Sequence, residues 1–265
     1  MGDIMKKGLY FSFKLKRAIG FSVVFVLFFS LTVMLNFTGV FTDVVSASAR
    51  NIPAVVIDAG HGGEDGGTQS ADGVLEKGIN LDIALKLNAL LTEKGFQTVM
   101  VRDGDYLIYD EDAETMREKK VSDIHNRMKI IEDSGECILI SVHQNYFTES
   151  KYSGTQVFYS KNNAESKCLA DEIQKSVVLS LQPENTRQIK ESGTDIYLLY
   201  NAQVPAVMVE CGFMSNEKEA DKLNTEEYRQ EMAEAIADGL ISFIENREQG
   251  DKNNGSENKK YFRVQ

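Results

Sequence analysis

Three short runs constrain this chain more than any other feature: Ala54–Asp58 (AVVID), Cys137–Val142 (CILISV) and Ala206–Glu210 (AVMVE). Each is apolar at nearly every position, so a strand built from it needs cover on both faces. Longer stretches with helical spacing lie between them. Glu76–Lys94 repeats Ile79, Ile83, Leu87, Leu90 and Leu91, with Gly95 as its stop. Val121–Asp133 keeps the period through Ile124, Met128 and Ile131, and Asn163–Leu181 and Glu226–Glu245 read as further helices. Phe96–Val101, Thr155–Tyr159 and Ile196–Leu199 read as additional strands, and the acidic stretch Asp103–Lys120 as an exposed loop with a helical turn. This alternation predicts an α/β fold: a single domain whose central, mostly parallel or mixed sheet is covered by helices on both faces, preceded by an N-terminal apolar helix.

The domain has appendages at both ends. Lys6, Lys7, Lys14, Lys16 and Arg17 precede an uncharged, Val/Phe/Leu-rich run from Ala18 to Thr42. Its dense part, Ala18 to Leu35, is longer than a usual signal core and slightly short for a spanning helix. Residues 1–50 therefore read as a signal or membrane anchor that exports the chain. Ala47-Ser48-Ala49 resembles a cleavage site but lies far beyond the apolar core, which favours the anchor. Residues 51–246 form the folded domain. Residues 247–265, rich in Asn, Lys, Gly and Glu, read as a disordered polar tail.

Charge narrows the partners. The first 50 residues hold six Lys/Arg against Asp3 and Asp43, or +4 of the total −11, which leaves −15 on the remainder. Such a domain is unsuited to nucleic acid or an anionic lipid surface. Three cysteines, Cys137, Cys168 and Cys211, describe no disulfide framework, and Cys137 and Cys211 lie in buried strand-like runs.

Two of the three histidines stand at strand ends. His61 follows AVVID within Asp58-Ala-Gly-His-Gly-Gly, and His143 follows CILISV directly. Ligand sites in open α/β sheets lie beyond the carboxyl ends of the strands, where such residues can meet despite their separation in sequence. Glu210 ends a third apolar strand, in a place that tolerates a carboxylate only when it is paired, metal-bound or neutral. Catalytic zinc takes three protein ligands and keeps one position for water, and two His with one Glu is an established set. Two carboxylates compete for the third place. Glu76 opens a helix just after the glycine-rich loop, close to His61; Glu210 would then face the water as general base. The spacing matches neither HExxH nor a zinc finger, and the glycine-rich loop lacks a phosphate-binding pattern. His125, on the Val121–Asp133 helix, reads as a surface or packing residue.

Four ordered segments carry a resemblance: Ile57-Asp58-Ala-Gly-His61-Gly-Gly, Leu75-Glu76-Lys77, Ser141-Val142-His143-Gln144-Asn145 and Val209-Glu210-Cys-Gly-Phe213-Met-Ser-Asn216. Over residues 52–246 the chain resembles the zinc-dependent N-acetylmuramoyl-L-alanine amidases. Glu184-Asn185-Thr186-Arg187 and Gly193-Thr194-Asp195-Ile196-Tyr197-Leu198 make it most similar to the spore-cortex, germination-specific type. The resemblance implies one Zn2+ held by His61, Glu76 and His143, with Glu210 as the catalytic glutamate. It implies hydrolysis of the amide between N-acetylmuramic acid and the L-alanine of the stem peptide in peptidoglycan. In the spore type this is the first step toward muramic δ-lactam, with a polysaccharide deacetylase as partner and export into the cortex space. Two places depart from the wider pattern, Tyr146-Phe147 after Asn145 and Tyr200-Asn201 after Leu199, so no substrate-anchoring residue is assigned. The rival readings are a zinc peptidase of the stem peptide, a non-catalytic wall-binding protein and a hydrolase using Cys211 as nucleophile.

Overall fold

The computed structural model describes residues 52–261, with side chains through residue 249. The N-terminal segment 1–50, read as a signal or anchor, lies outside the described residues. Among the described residues no helix is long and apolar enough to cross a membrane.

Six strands form one sheet: β1 (Ala54–Ala59), β2 (Thr98–Met100), β3 (Cys137–Asn145), β4 (Gln156–Tyr159), β5 (Lys190–Glu191) and β6 (Ala206–Phe213), in the order β2-β1-β3-β6-β4-β5. The four strands from β2 to β6 run parallel, while β4 pairs antiparallel with β6 and carries β5 at the edge. The sheet is thus mixed, as the sequence predicts. Among the described residues six helices accompany it: α1 (Glu76–Glu93), α2 (Met116–Asp133), α3 (Glu165–Ser180), α4 (Tyr197–Asn201), α5 (Glu217–Leu223) and α6 (Glu226–Tyr261).

The uniformly apolar strands are explained by two layers. Val55, Ile57, Ile138, Ile140, Val207 and Val209 face a core closed by α1, α3 and α6. Val56, Leu139 and Met208, which point the other way, pack with Met128 and Ile131 of α2 and with Leu198 and Leu199 of α4. Most of these side chains have no accessible surface, and each contributes roughly 1.5–3 kcal/mol by leaving water.

Several elements differ from expectation. Ile196–Leu199, read as a strand, leads into the short helix α4. Both edges of β6 are already occupied, by β3 and β4, so the segment does not pair there; it satisfies its own backbone, Tyr200 N–H to Ile196 C=O (2.9 Å), and covers the sheet face. Helix α2 starts at Met116, before the expected Val121, because Thr115 and Glu118 form a reciprocal capping box. Helix α6 runs from Glu226 to Tyr261, so its last residues fall within the stretch 247–265 read from the sequence as a disordered polar tail. No proline interrupts them, and extending an established helix is far cheaper than starting one.

Candidate metal centre

The site grows from the carboxyl ends of β1, β3 and β6. Beyond β1 the backbone turns sharply, and His61 adopts a left-handed φ of 63° with Gly62 and Gly63 after it. Two buried arginines hold this turn. Arg102 donates to the carbonyls of Ala59 (2.8 Å) and Gly60 (2.9 Å), and Arg127 to those of Ala59 and His61 (both 2.7 Å). A buried guanidinium is tolerable only when paired and saturated with acceptors. Arg127 meets Asp58 and Asp123, each at 2.6 Å, and Asp58 also accepts from Ser141 Oγ at 2.6 Å. Burial alone would raise the Asp58 carboxyl, but the charge of Arg127 and the Ser141 hydrogen bond bring it below its ordinary value.

Within this frame the structure brings His61, Glu76 and His143 together. One ligand atom from each lies within 4.8 Å of the others. His61 Nε2 is 3.3 Å from Glu76 Oε2, and His143 Nδ1 is 3.1 Å from Glu76 Oε1. The Glu76 carboxylate is fixed by the N–H groups of Thr68 (2.8 Å) and Gln144 (3.0 Å) and by Asn80 Nδ2 (3.1 Å). Burial works to raise Glu76, yet hydrogen bonds and charge from His143 and His61 hold it far below the usual carboxylate range. The other nitrogen of His61, Nδ1, lies 2.8 Å from Asp65, whose second oxygen meets Lys120 at 2.7 Å. Burial would lower His61, but Asp65 and Glu76 outweigh it and raise the imidazole to about 9. This orientation of a histidine by a carboxylate is the usual support for a metal ligand.

Two glycines leave room for the cluster. A Cβ on Gly60 would lie 2.2 Å from the His143 ring, and one on Gly67, at φ +70°, would lie 2.6 Å from Glu76 Oε2. Neither position can carry a side chain without displacing a member of the cluster.

Glu210 lies directly opposite His143 across the parallel β3–β6 pair, so both project to the same side of the sheet. Its Oε2 is buried with no hydrogen-bond partner among the described residues. Burial pushes the carboxyl up to about 7, with the charge of His143 pulling against it. Such a group is suited both to take and to return a proton near neutral pH. An orphaned carboxylate beside two imidazoles and a second, fixed carboxylate is the donor set that a zinc ion with an open water position fits. The next residue, Cys211, faces the opposite core, where burial raises its thiol well above the ordinary value; that removes it as a nucleophile. His125 is exposed and packs against the Tyr197 ring, 5.2 Å between centroids.

His61 and His143 open onto a cleft of about 340 Å³ that also reaches Lys120, Asp195 and Tyr197. Sequence reasoning missed the supporting residues Asp65, Asn80, Arg102 and Arg127. Asn80 had a readable signal, as a polar residue beside Ile79 and Ile83 on the buried stripe of α1.

Comparison with known proteins agrees with this picture. Residues 55–242 match the family described as N-acetylmuramoyl-L-alanine amidase. The chain is 33% identical over 190 residues to the germination-specific N-acetylmuramoyl-L-alanine amidase of Bacillus subtilis, covering 72% of this chain and 79% of that protein. Among solved structures it is similar to the CwlD amidase of Clostridioides difficile in complex with the GerS lipoprotein, with 38% identity and a TM-score of 0.71 over 73% of this chain and 98% of that one. It is also similar to the amidase AmiC2 of Nostoc punctiforme, with 28% identity and a TM-score of 0.63 over 73% and 97% of the two chains.

Proposed function

Since this chain belongs to the N-acetylmuramoyl-L-alanine amidase family, we propose that it cleaves the muramoyl–alanine amide of peptidoglycan with one zinc ion held by His61, Glu76 and His143, and with Glu210 as the proton carrier. The observation that carries this reading is the convergence of three donors beside a buried, unpartnered carboxylate. When bound, zinc supplies Lewis acidity toward a water and the scissile carbonyl.

The chain's own groups do the rest. Asp65 holds His61 through Nδ1 and leaves Nε2 turned toward Glu76. Glu210 removes a proton from the attacking water as its oxygen bonds to the lactyl carbonyl carbon. The same carboxyl then protonates the alanine nitrogen as the C–N bond breaks, releasing a muramic carboxylate and a free stem-peptide amine. No covalent enzyme intermediate is involved.

The similarity to a germination-specific relative supports a role in spore cortex, where freeing the muramic carboxylate precedes lactam formation by a deacetylase acting on the same strands. The relative solved with a lipoprotein supports an exported enzyme with a companion protein of that kind. Export rests on the basic, apolar segment before residue 50 and on the wall location of the substrate.

Digestion of purified peptidoglycan by the zinc-loaded protein, followed by mass spectrometry, is the direct test. Intact stem peptides starting at L-alanine are expected; fragments cut within the stem would identify a peptidase instead. Glu210→Gln should keep its zinc and lose about 10²–10⁴-fold in kcat. Cortex from a strain lacking the protein should contain no muramic lactam, and normal lactam there would exclude the cortex role.

A further inference from the structure

Three segments that leave the metal cluster meet again beyond it. Tyr146 stands just past His143, Met214 just past Glu210, and Gln69 follows Thr68, whose N–H holds Glu76. Together they wall an open groove of about 710 Å³. The β3 and β6 walls are tied by Met214 N–H to Asn145 C=O (2.8 Å) and by Phe147 N–H to Ser215 Oγ (3.1 Å).

The two exposed aromatics here differ. Phe147 stands edge-on to Tyr152 at 4.9 Å, and Tyr152 leads on to Phe213, over which the Arg187 guanidinium lies at 4.5 Å. Phe147 is therefore part of a packed column. Tyr146 is 53% exposed and has no ring, cation or hydrogen-bond partner among the described residues. It lines the groove, whose other walls carry the hydroxyls and amide of Gln69, Ser70, Thr148 and Ser150, while the Asn216 amide is engaged with the Ser150 and Tyr152 carbonyls and the Glu219 N–H.

We propose that this groove is a saccharide subsite in which a hexopyranose of the glycan strand lays the C–H face of its ring on Tyr146. The polarised C–H groups of a sugar face match the negative face of an aromatic ring, and the surrounding amide and hydroxyls match its hydroxyl and acetamido groups. Charge selects the glycan over the peptide. Among the described residues Asp72, Glu217 and Asp221 line the groove against one cation, Lys218, so an acidic stem peptide is repelled while a neutral sugar is not. The assignment of this sugar to peptidoglycan rests on the amidase reading; the subsite itself does not.

Binding of chitotetraose, a neutral β-1,4-linked N-acetylglucosamine tetramer, to the zinc-loaded protein and its Tyr146→Ala and Tyr146→Phe variants tests the subsite without turnover. Loss of about five- to tenfold in affinity on Tyr146→Ala is expected, with Tyr146→Phe close to wild type because it keeps the ring. On peptidoglycan strands Tyr146→Ala should raise KM by a similar factor and leave kcat, zinc content and thermal unfolding within twofold or unchanged. Equal chitotetraose affinity in wild type and Tyr146→Ala, or no binding by either, would overturn the subsite. Failure of the wild type to release stem peptides would overturn the amidase reading alone.

Discussion

Gly60 shows how closely the cluster is built at the scale of single residues. Its absent side chain is where the His143 ring lies, so Gly60→Ala must push the imidazole aside. We expect that variant to fold but to bind zinc at least about tenfold more weakly, measured by competition with a chromophoric chelator, because a ligand must be held in place to contribute its full binding energy. The protonation of His61 adds a second expectation. Asp65 and Glu76 outweigh the effect of burial and raise its imidazole to about 9 in the metal-free protein. Metal binding needs the neutral ring, so zinc must displace that proton at neutral pH. Affinity should therefore fall by up to about tenfold for each unit of pH below 9, with proton release on binding visible by calorimetry in buffers of different ionisation enthalpy. An affinity independent of pH between 6 and 9 would contradict the raised imidazole of His61 in the metal-free protein.

Among the helices, the contact of α3 with α6 sets its own constraint. A Cβ on Gly239 would come within 2.5 Å of Ile173 Cα and 2.9 Å of its nitrogen, atoms of a backbone that cannot swing away. Alanine is the better helix former by about 1 kcal/mol, so propensity alone predicts that Gly239→Ala stabilises α6. The clash decides the sign, because overpacking against backbone costs about 1–3 kcal/mol or more. Denaturant unfolding of Gly239→Ala should show a net loss of stability; a gain would mean that α3 and α6 separate freely. The same scale explains α4. Four residues rich in Ile, Tyr and Leu carry no period long enough to separate helix from strand, and the choice is made by tertiary packing, with Leu198 and Leu199 buried against the sheet and both edges of β6 filled.

Across the whole molecule, the proposed zinc links parts that are distant in sequence: the loop after β1, the start of α1 and the end of β3. An ion bound only by the folded state stabilises it by about 2.7 kcal/mol when free zinc is a hundred times its Kd. Removal with EDTA should lower the Tm and abolish amide cleavage, and added zinc should restore both. A Tm unchanged by chelation, with activity intact, would point to a protein that works without the ion.

Local pattern was enough for the strands β1, β3 and β6, for most helices, and for the placement of His61, His143 and Glu210 at strand ends. Burial on both faces writes itself into consecutive apolar residues, and the residue that ends such a run is conspicuous. The resemblance over four motifs then assigned roles to Glu76 and Glu210. The rest depended on contacts between segments far apart in the chain. Arg102 and Arg127 carry no local signal in the sequence, and only the folded chain shows them buried and gathering the carbonyls of the turn at His61. The groove beside Tyr146 likewise exists only because three loops close around it. Hydrophobic periodicity is a property of neighbouring residues and can be read in one dimension. The partner that satisfies a buried charge, or the wall that completes a groove, is chosen by competition among all segments at once, and that choice is made in three dimensions.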